Sequence, residues 1–255
     1  MKAADLFDLT GQVALVTGAS RGIGAAIARA FAVNGARVII TSRRAESCDA
    51  TAAAIRADGG EVHVRACHMG DLAQIEALND WISFEFGRLD VLVNNAATNP
   101  LYGSVLDTDV AAFTKTVEVN FRGYWFMCQY AARLMAAKGG GSIVNIASVA
   151  ALHPMDGIGV YGATKAAVVN LTLAFARECG PMNVRVNAIL PGLVNTKFAA
   201  VLQSDGPART QALAATPLRR IAEPEDIVGA ALYFASRASR HATGALLRID
   251  GGMHA

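Results

Sequence analysis

Short apolar, β-branched runs alternate with longer stretches of helical spacing along the whole chain. The runs that read as strands are Val13–Thr17, Arg37–Thr41, Glu61–Ala66, Val91–Asn94, Ser142–Ala147, Arg185–Leu190 and Leu246–Ile249. Most are nearly continuous in apolar character, as strands covered on both faces are. Between them lie Ala-rich helical stretches, notably Gly22–Asn34, Asp71–Phe86, Thr108–Ala137, Tyr161–Cys179 and Glu223–Ser236. Strand, helix, strand in succession with right-handed crossovers predicts a Rossmann-like, doubly wound α/β fold. The expected architecture is a single-domain parallel sheet of about seven strands with helices on both faces.

No low-complexity linker and no internal repeat interrupts the alternation, so residues 1–255 read as one domain. The long stretch Gly192–Leu218, which holds Gly206, Pro207 and Pro217, lacks clear strand or helix periodicity. A loop that long in a compact domain predicts a functional lid.

Composition narrows the classes. Apolar residues make up 53% of the chain, which implies a large buried core rather than disorder. Charged residues are only 17%, the formal net charge is +2, and no basic or acidic block appears, which argues against a nucleic-acid partner. The N-terminus carries Asp5 and Asp8 without an apolar run, unlike a secretory signal. No segment reaches the roughly 18 uninterrupted apolar residues of a membrane span, so no membrane partner is expected. Cys48, Cys67, Cys128 and Cys179 are widely spaced with no CxxC pair, which predicts reduced cysteines, no metal and a cytoplasmic location.

The first strand runs into Thr17-Gly18-Ala19-Ser20-Arg21-Gly22-Ile23-Gly24 and then into a helix. Glycines let the backbone turn sharply and let a pyrophosphate approach the amides, while the helix adds free N–H groups and a favourable dipole. The strand–loop–helix context is what such a loop requires to be a dinucleotide site. Its spacing, GxxxGxG, is that of the short-chain dehydrogenase/reductase family. The chain resembles the classical type of that family from the first strand to Asp250-Gly251-Gly252.

Tyr161 and Lys165 lie four residues apart, on one face of a helix. A free phenol, with a pKa near 10, is a poor base at neutral pH. A neighbouring ammonium and an oxidised nicotinamide would both favour the phenolate. Ser148 closes the strand SIVNIAS thirteen residues upstream of Tyr161, where ligands sit in open parallel sheets. Its hydroxyl can bond the substrate oxygen while Tyr161 moves the proton.

The resemblance implies further roles. Asn120 matches the family's helix-kinking asparagine, which holds a water linking the lysine to solvent. Asn94-Asn95-Ala96-Ala97 matches the post-strand NNAG with Ala97 in place of glycine, a strained choice if that backbone needs positive φ. Pro191-Gly192-Leu193-Val194-Asn195-Thr196 resembles the turn whose backbone, near Val194, meets the nicotinamide carboxamide, with Thr196 adding a hydroxyl. His68 stands where the family commonly has an Asp beside the adenine. Alternatively it is a loop residue bonded locally.

NAD-selective enzymes place an acid about 20 residues beyond the glycines. Here that strand end reads Ile40-Thr41-Ser42-Arg43-Arg44, with no acid before Glu46. Arg43 with Ser42, and Arg21 from the loop, would attract a 2′-phosphate, which predicts NADP(H) over NAD(H). The alternative is that Arg43 and Arg44 are solvated charges opening the next helix.

The expected cofactor site is therefore Gly18, Ser20, Arg21, Gly22, Ile23, Gly24, Ser42, Arg43, His68, Asn95, Ala96, Tyr161, Lys165, Pro191, Gly192, Val194 and Thr196. The expected catalytic set is Asn120, Ser148, Tyr161 and Lys165. The substrate pocket should come from Thr98–Gly103, Val149–Ile158 and the lid, offering Leu101, Tyr102, Val149, Leu152, Met155, Ile158, Phe198 and Leu202. Few charges among them point to an apolar ketone or aldehyde, or the matching secondary alcohol. His153 reads as structural, and Arg219-Arg220 as capping the lid.

Two alternatives stand beside this reading. A 3-oxoacyl-thioester reductase would need a basic surface for its acyl carrier, and none stands out. A non-catalytic dinucleotide sensor would not need all four chemical positions. Helices Thr108–Ala137 and Tyr161–Cys179 are apolar on more than one face, and in the resembled family they pair across a two-fold axis, which implies a homotetramer.

Overall fold

The computed structural model describes residues 2–197 and 207–254. Among the described residues seven strands occur: β1 (Val13–Thr17), β2 (Arg37–Ser42), β3 (Glu61–Ala66), β4 (Val91–Asn94), β5 (Gly141–Ile146), β6 (Val184–Pro191) and β7 (Leu246–Ile249). They form one parallel sheet in the order β3-β2-β1-β4-β5-β6-β7. The direction of winding reverses between β1 and β4, and a crevice opens at the carboxyl ends of strands around such a switch point.

Two apolar layers hold the sheet. Val13 and Leu15 of β1 join a layer with Ile75, Ile82, Met127 and Val168 from helices α4 (Leu72–Phe86), α6 (Gly123–Ala136) and α7 (Gly159–Cys179). Ala14 and Val16 face the other layer, with Ile27, Phe31, Ile55 and Phe234 from α2 (Gly22–Val33), α3 (Asp49–Ala57) and α9 (Glu225–Ala235). Successive strand residues point to opposite faces, so a strand buried on both is apolar along most of its length, and a polar residue such as Thr17 must find hydrogen-bond partners. All five residues of β1 are buried.

Several expected boundaries move. The helix expected over Thr108–Ala137 divides into α5 (Val110–Val117), a π-helical turn at Glu118–Arg122 and α6. Asp109 starts α5 by accepting the Ala112 N–H at 2.7 Å, so Thr108 lies outside. Asp71 likewise caps α4 and stays outside it, accepting from Ala73 and Gln74. Helix α3, nine residues long, and the short α1 (Ala3–Phe7) lie outside the helical stretches expected from the sequence. Within Gly192–Leu218, α8 (Pro207–Ala215) contradicts the expectation of an unstructured segment. Proline is tolerated at that helix's first position, although it reads as a breaker in sequence.

Candidate active site

The glycine loop leaves β1 with Gly18 at φ +65°, and a Cβ there would lie 2.7 Å from the Ala96 Cα. The ends of β1 and β4 are clamped by five bonds, one of them from Thr17 Oγ1 to the Val93 carbonyl at 3.3 Å. Thr17 Oγ1 accepts from the Asn95 and Ala96 N–H groups at 2.9 and 3.2 Å. The Asn95 side-chain amide donates to Thr17 O and Gly18 O at 2.9 and 3.1 Å. No side chain caps the start of α2, so its first-turn N–H groups keep their capacity for an anion.

A cleft of about 1260 Å³ opens above this clamp. Gly18, Ser20, Arg21, Gly22 and Ile23 line it from the loop, and Ser42, Arg43 and His68 from the ends of β2 and β3. Asn95, Ala96, Pro191, Gly192, Val194 and Thr196 line it on the far side of β1, together with Ser148, Tyr161 and Lys165. Gly24 and Asn120 stand behind the wall instead. Ala97 is not among the residues with positive φ, so its methyl group is accommodated without backbone strain. His68 borders the cleft, and its Nδ1 accepts from the Gly70 N–H at 3.1 Å.

Ser148 Oγ accepts the Ala150 N–H at 3.2 Å, opening a short helical turn, and also hydrogen-bonds Tyr161. The same hydroxyl thus shapes the loop and meets the phenol. Lys165 is 1% exposed, with Nζ 5.7 Å from the centre of the Tyr161 ring. Its ammonium donates to the Ile146 carbonyl at 2.7 Å and to the Tyr124 hydroxyl at 3.3 Å. In the protein alone, burial pushes the Tyr161 phenol up to about 12 and the Lys165 ammonium down to about 7. Lowering of the phenol's pKa is therefore not a property of the chain by itself.

Asn120 lies in the π-helical turn and grips the loop after β4. Its Oδ1 accepts the Thr98 N–H and its Nδ2 donates to Thr98 O, both at 2.8 Å, with a further bond to Thr164 Oγ1 at 3.3 Å. A wide turn at a functional position is where a π-bulge is commonly found.

The substrate end differs in part from expectation. Tyr102, Val149, Met155 and Ile158 line the cleft, joined by Met253 from the chain's last turn. Leu101 lines a separate small cavity with Val105 and Gly157, and Leu152 is 45% exposed. Phe198 and Leu202 lie outside the described residues. Polar groups that the sequence did not single out also line the cleft: Asn99, Asp156 and Lys197, which lie within the expected pocket stretches, and Arg44 and Ser47 just beyond β2. Ser47 had no motif to mark it. Asn99, whose Nδ2 is buried without a partner, could have been suspected from its place just past Asn94–Ala97. His153 stacks on His254 at 4.0 Å, a structural contact. Arg220 pairs with Asp226, and Arg219 donates to Ala214 O at the end of α8. Among the described residues no group of metal-binding side chains occurs, and no helix is long and apolar enough to cross a membrane.

The family model described as "Enoyl-(Acyl carrier protein) reductase" matches residues 18–254. D-threitol dehydrogenase of Mycolicibacterium smegmatis is 40% identical over 96% of this chain and 94% of its own. Human dehydrogenase/reductase SDR family member 4 is 35% identical over 96% of this chain and 88% of its own. A gluconate 5-dehydrogenase of Burkholderia cenocepacia, crystallised with NADP and tartrate, superposes with a TM-score of 0.95 at 32% identity, covering 99% of this chain and 98% of that one. The last of these holds NADP, and the open glycine loop, the uncapped helix and the long cleft of this chain fit a nicotinamide dinucleotide. The chain is an oxidoreductase and belongs to the short-chain dehydrogenase/reductase family, of the classical type.

Proposed function

We propose that this enzyme is an NADP(H)-dependent carbonyl reductase or alcohol dehydrogenase, acting between an apolar ketone or aldehyde and its alcohol. The observation that carries the reading is the Ser148–Tyr161 bond at the mouth of the cleft, with Lys165 buried one helical turn behind it. Bound there, the dinucleotide supplies or removes the hydride at the reacting carbon. Ser148 donates to the substrate oxygen and holds it. Tyr161 gives its proton to that oxygen as negative charge develops, or takes it back in oxidation. Lys165 offers a cation close to the phenolate so formed. Asn120, through Thr98 and Thr164, keeps the loop after β4 in register with α7.

Gly18, Ser20 and the α2 N-terminus would hold the pyrophosphate, with Ile23 beside it, while Pro191, Gly192, Val194 and Thr196 border the nicotinamide end. Arg21, Ser42, Arg43, Arg44 and Ser47 would hold a 2′-phosphate, for which point charges and hydroxyls are the matching chemistry. Val149, Met155, Ile158 and Met253 favour an apolar substrate flank. Asn99, Asp156 and Lys197 favour a second reading, a hydroxylated substrate of the kind D-threitol dehydrogenase is named for. The whole chain would act as one dinucleotide-binding domain in a cytoplasmic homotetramer, with 192–218 as its lid.

Oxidation of NADPH and of NADH against apolar carbonyls and ketoses tests cofactor and substrate together. NADPH turnover on apolar carbonyls is expected; equal or better turnover with NADH overturns the cofactor assignment, and turnover confined to ketoses favours the second substrate reading. Tyr161→Phe should lower turnover by at least about 10²-fold while NADPH still binds, and full activity in that variant would remove Tyr161 from the mechanism.

A further inference from the structure

The chemistry above uses one phenol, yet Lys165 touches two. Tyr124 enters from α6, is 0% exposed, and heads the fully buried side chains in size among the described residues. Its hydroxyl accepts from Lys165 Nζ at 3.3 Å and donates to the Ile146 carbonyl at 3.4 Å, and Nζ donates to the same carbonyl at 2.7 Å. Three polar atoms thus close a triangle inside an apolar layer built from Met127, Ala147 and Val168. Packing alone would not call for this hydroxyl, because phenylalanine fills the same space with no polar atom to satisfy. Burial holds the Tyr124 phenol well above its ordinary value, so it remains a neutral acceptor beside the ammonium.

We propose that Tyr124 is a positioning residue for Lys165: with the Ile146 carbonyl, its oxygen aims the ammonium and favours its charged form behind Tyr161. An ammonium has three hydrogens to donate, and these two acceptors engage two of them, leaving one for the cleft. The proposal rests on Lys165 serving Tyr161 in catalysis. The titratable groups acting on the two phenols are Cys128, on α6 with Tyr124, and Tyr102, beside Tyr161, and Tyr161 also acts on Tyr124, while Lys165 itself is shifted by burial alone. No carboxylate is among them.

The test is Tyr124→Phe, which keeps the ring and removes the acceptor. The ammonium then loses its proton at lower pH, so the basic limb of kcat/KM for carbonyl reduction should move down by about one pH unit. The change should fall on kcat more than on KM, and NADPH should still bind. A profile that superimposes on the wild-type one, or a rate loss uniform across pH, overturns the proposal. Should that variant fail to fold, 3-fluorotyrosine placed at position 124, a weaker acceptor of nearly the same size, should move the limb the same way by a smaller step. No movement there overturns it equally. Tyr161→Phe run in parallel separates the two failures: if it is inactive while the Tyr124 variants leave the profile unchanged, only the role of Tyr124 falls.

Discussion

Lys165 shows what one residue of this site does to the rest of the molecule. Its ammonium is buried, and desolvation pulls its pKa down to about 7 from the 10.5 of a free lysine. Across that interval the unfolded chain binds the proton and the native one does not, so native stability rises as pH rises from 7 toward 10.5. Below pH 7 the buried charge weighs fully against folding. Lys165→Met should therefore melt higher than wild type in the absence of dinucleotide, by about 2–4 °C for each kcal/mol relieved in a chain of this size. The difference should be largest at pH 6 and narrow toward pH 10, and a series of melting curves checks it. A Tm gap that is constant with pH would show that Lys165 is not charged at a cost in the native state. Spacing placed Lys165 one turn from Tyr161. It could not reveal that Ile146 and Tyr124 also claim the ammonium.

At the scale of elements, the joint between β1, α2 and β4 depends on glycine at a position that never reaches the cleft surface. A Cβ on Gly24 would stand 2.5 Å from Asn95 Nδ2 and 2.7 Å from Gly18 O. That is where the Asn95 amide ties the loop to β4. Gly24→Ala should cost about 1–3 kcal/mol of stability, read as a lower denaturation midpoint. It should also weaken NADPH binding, measured by fluorescence titration, because the displaced loop carries the amides proposed to meet the pyrophosphate. The glycine spacing, the strand preceding it and the helix after it were legible because they follow local rules. The division of Thr108–Ala137 was not, since the π-helical turn at Glu118–Arg122 depends on Asn120 finding Thr98 and Thr164 across the fold.

For the whole molecule, the proposed homotetramer needs an apolar face left uncovered by the single chain. Val110 and Phe113 of α5 are 81% and 51% exposed, and Trp125 of α6 and Leu173 of α7 are 38% and 43% exposed. Trp125 packs edge-on between Phe121 and Phe175, which makes the patch continuous across α6 and α7. An apolar surface of that kind is what the proposed assembly would cover. Trp125→Glu should shift the assembly toward smaller species by light scattering on a sizing column, with the isolated chain keeping its secondary structure by circular dichroism. A wild-type chain that elutes as a monomer would contradict the assembly outright.

The linear sequence by itself determined the sheet, its winding and the order of the site residues, because alternation of apolar runs with helices, glycine spacing and an i, i+4 pair are local or periodic features. The tertiary structure alone decided which groups share a boundary. It brought Tyr124 and Ile146 to Lys165, and Thr98 and Thr164 to Asn120. Those meetings arise from packing helices on both faces of a sheet, where distance along the chain carries no information about distance in space.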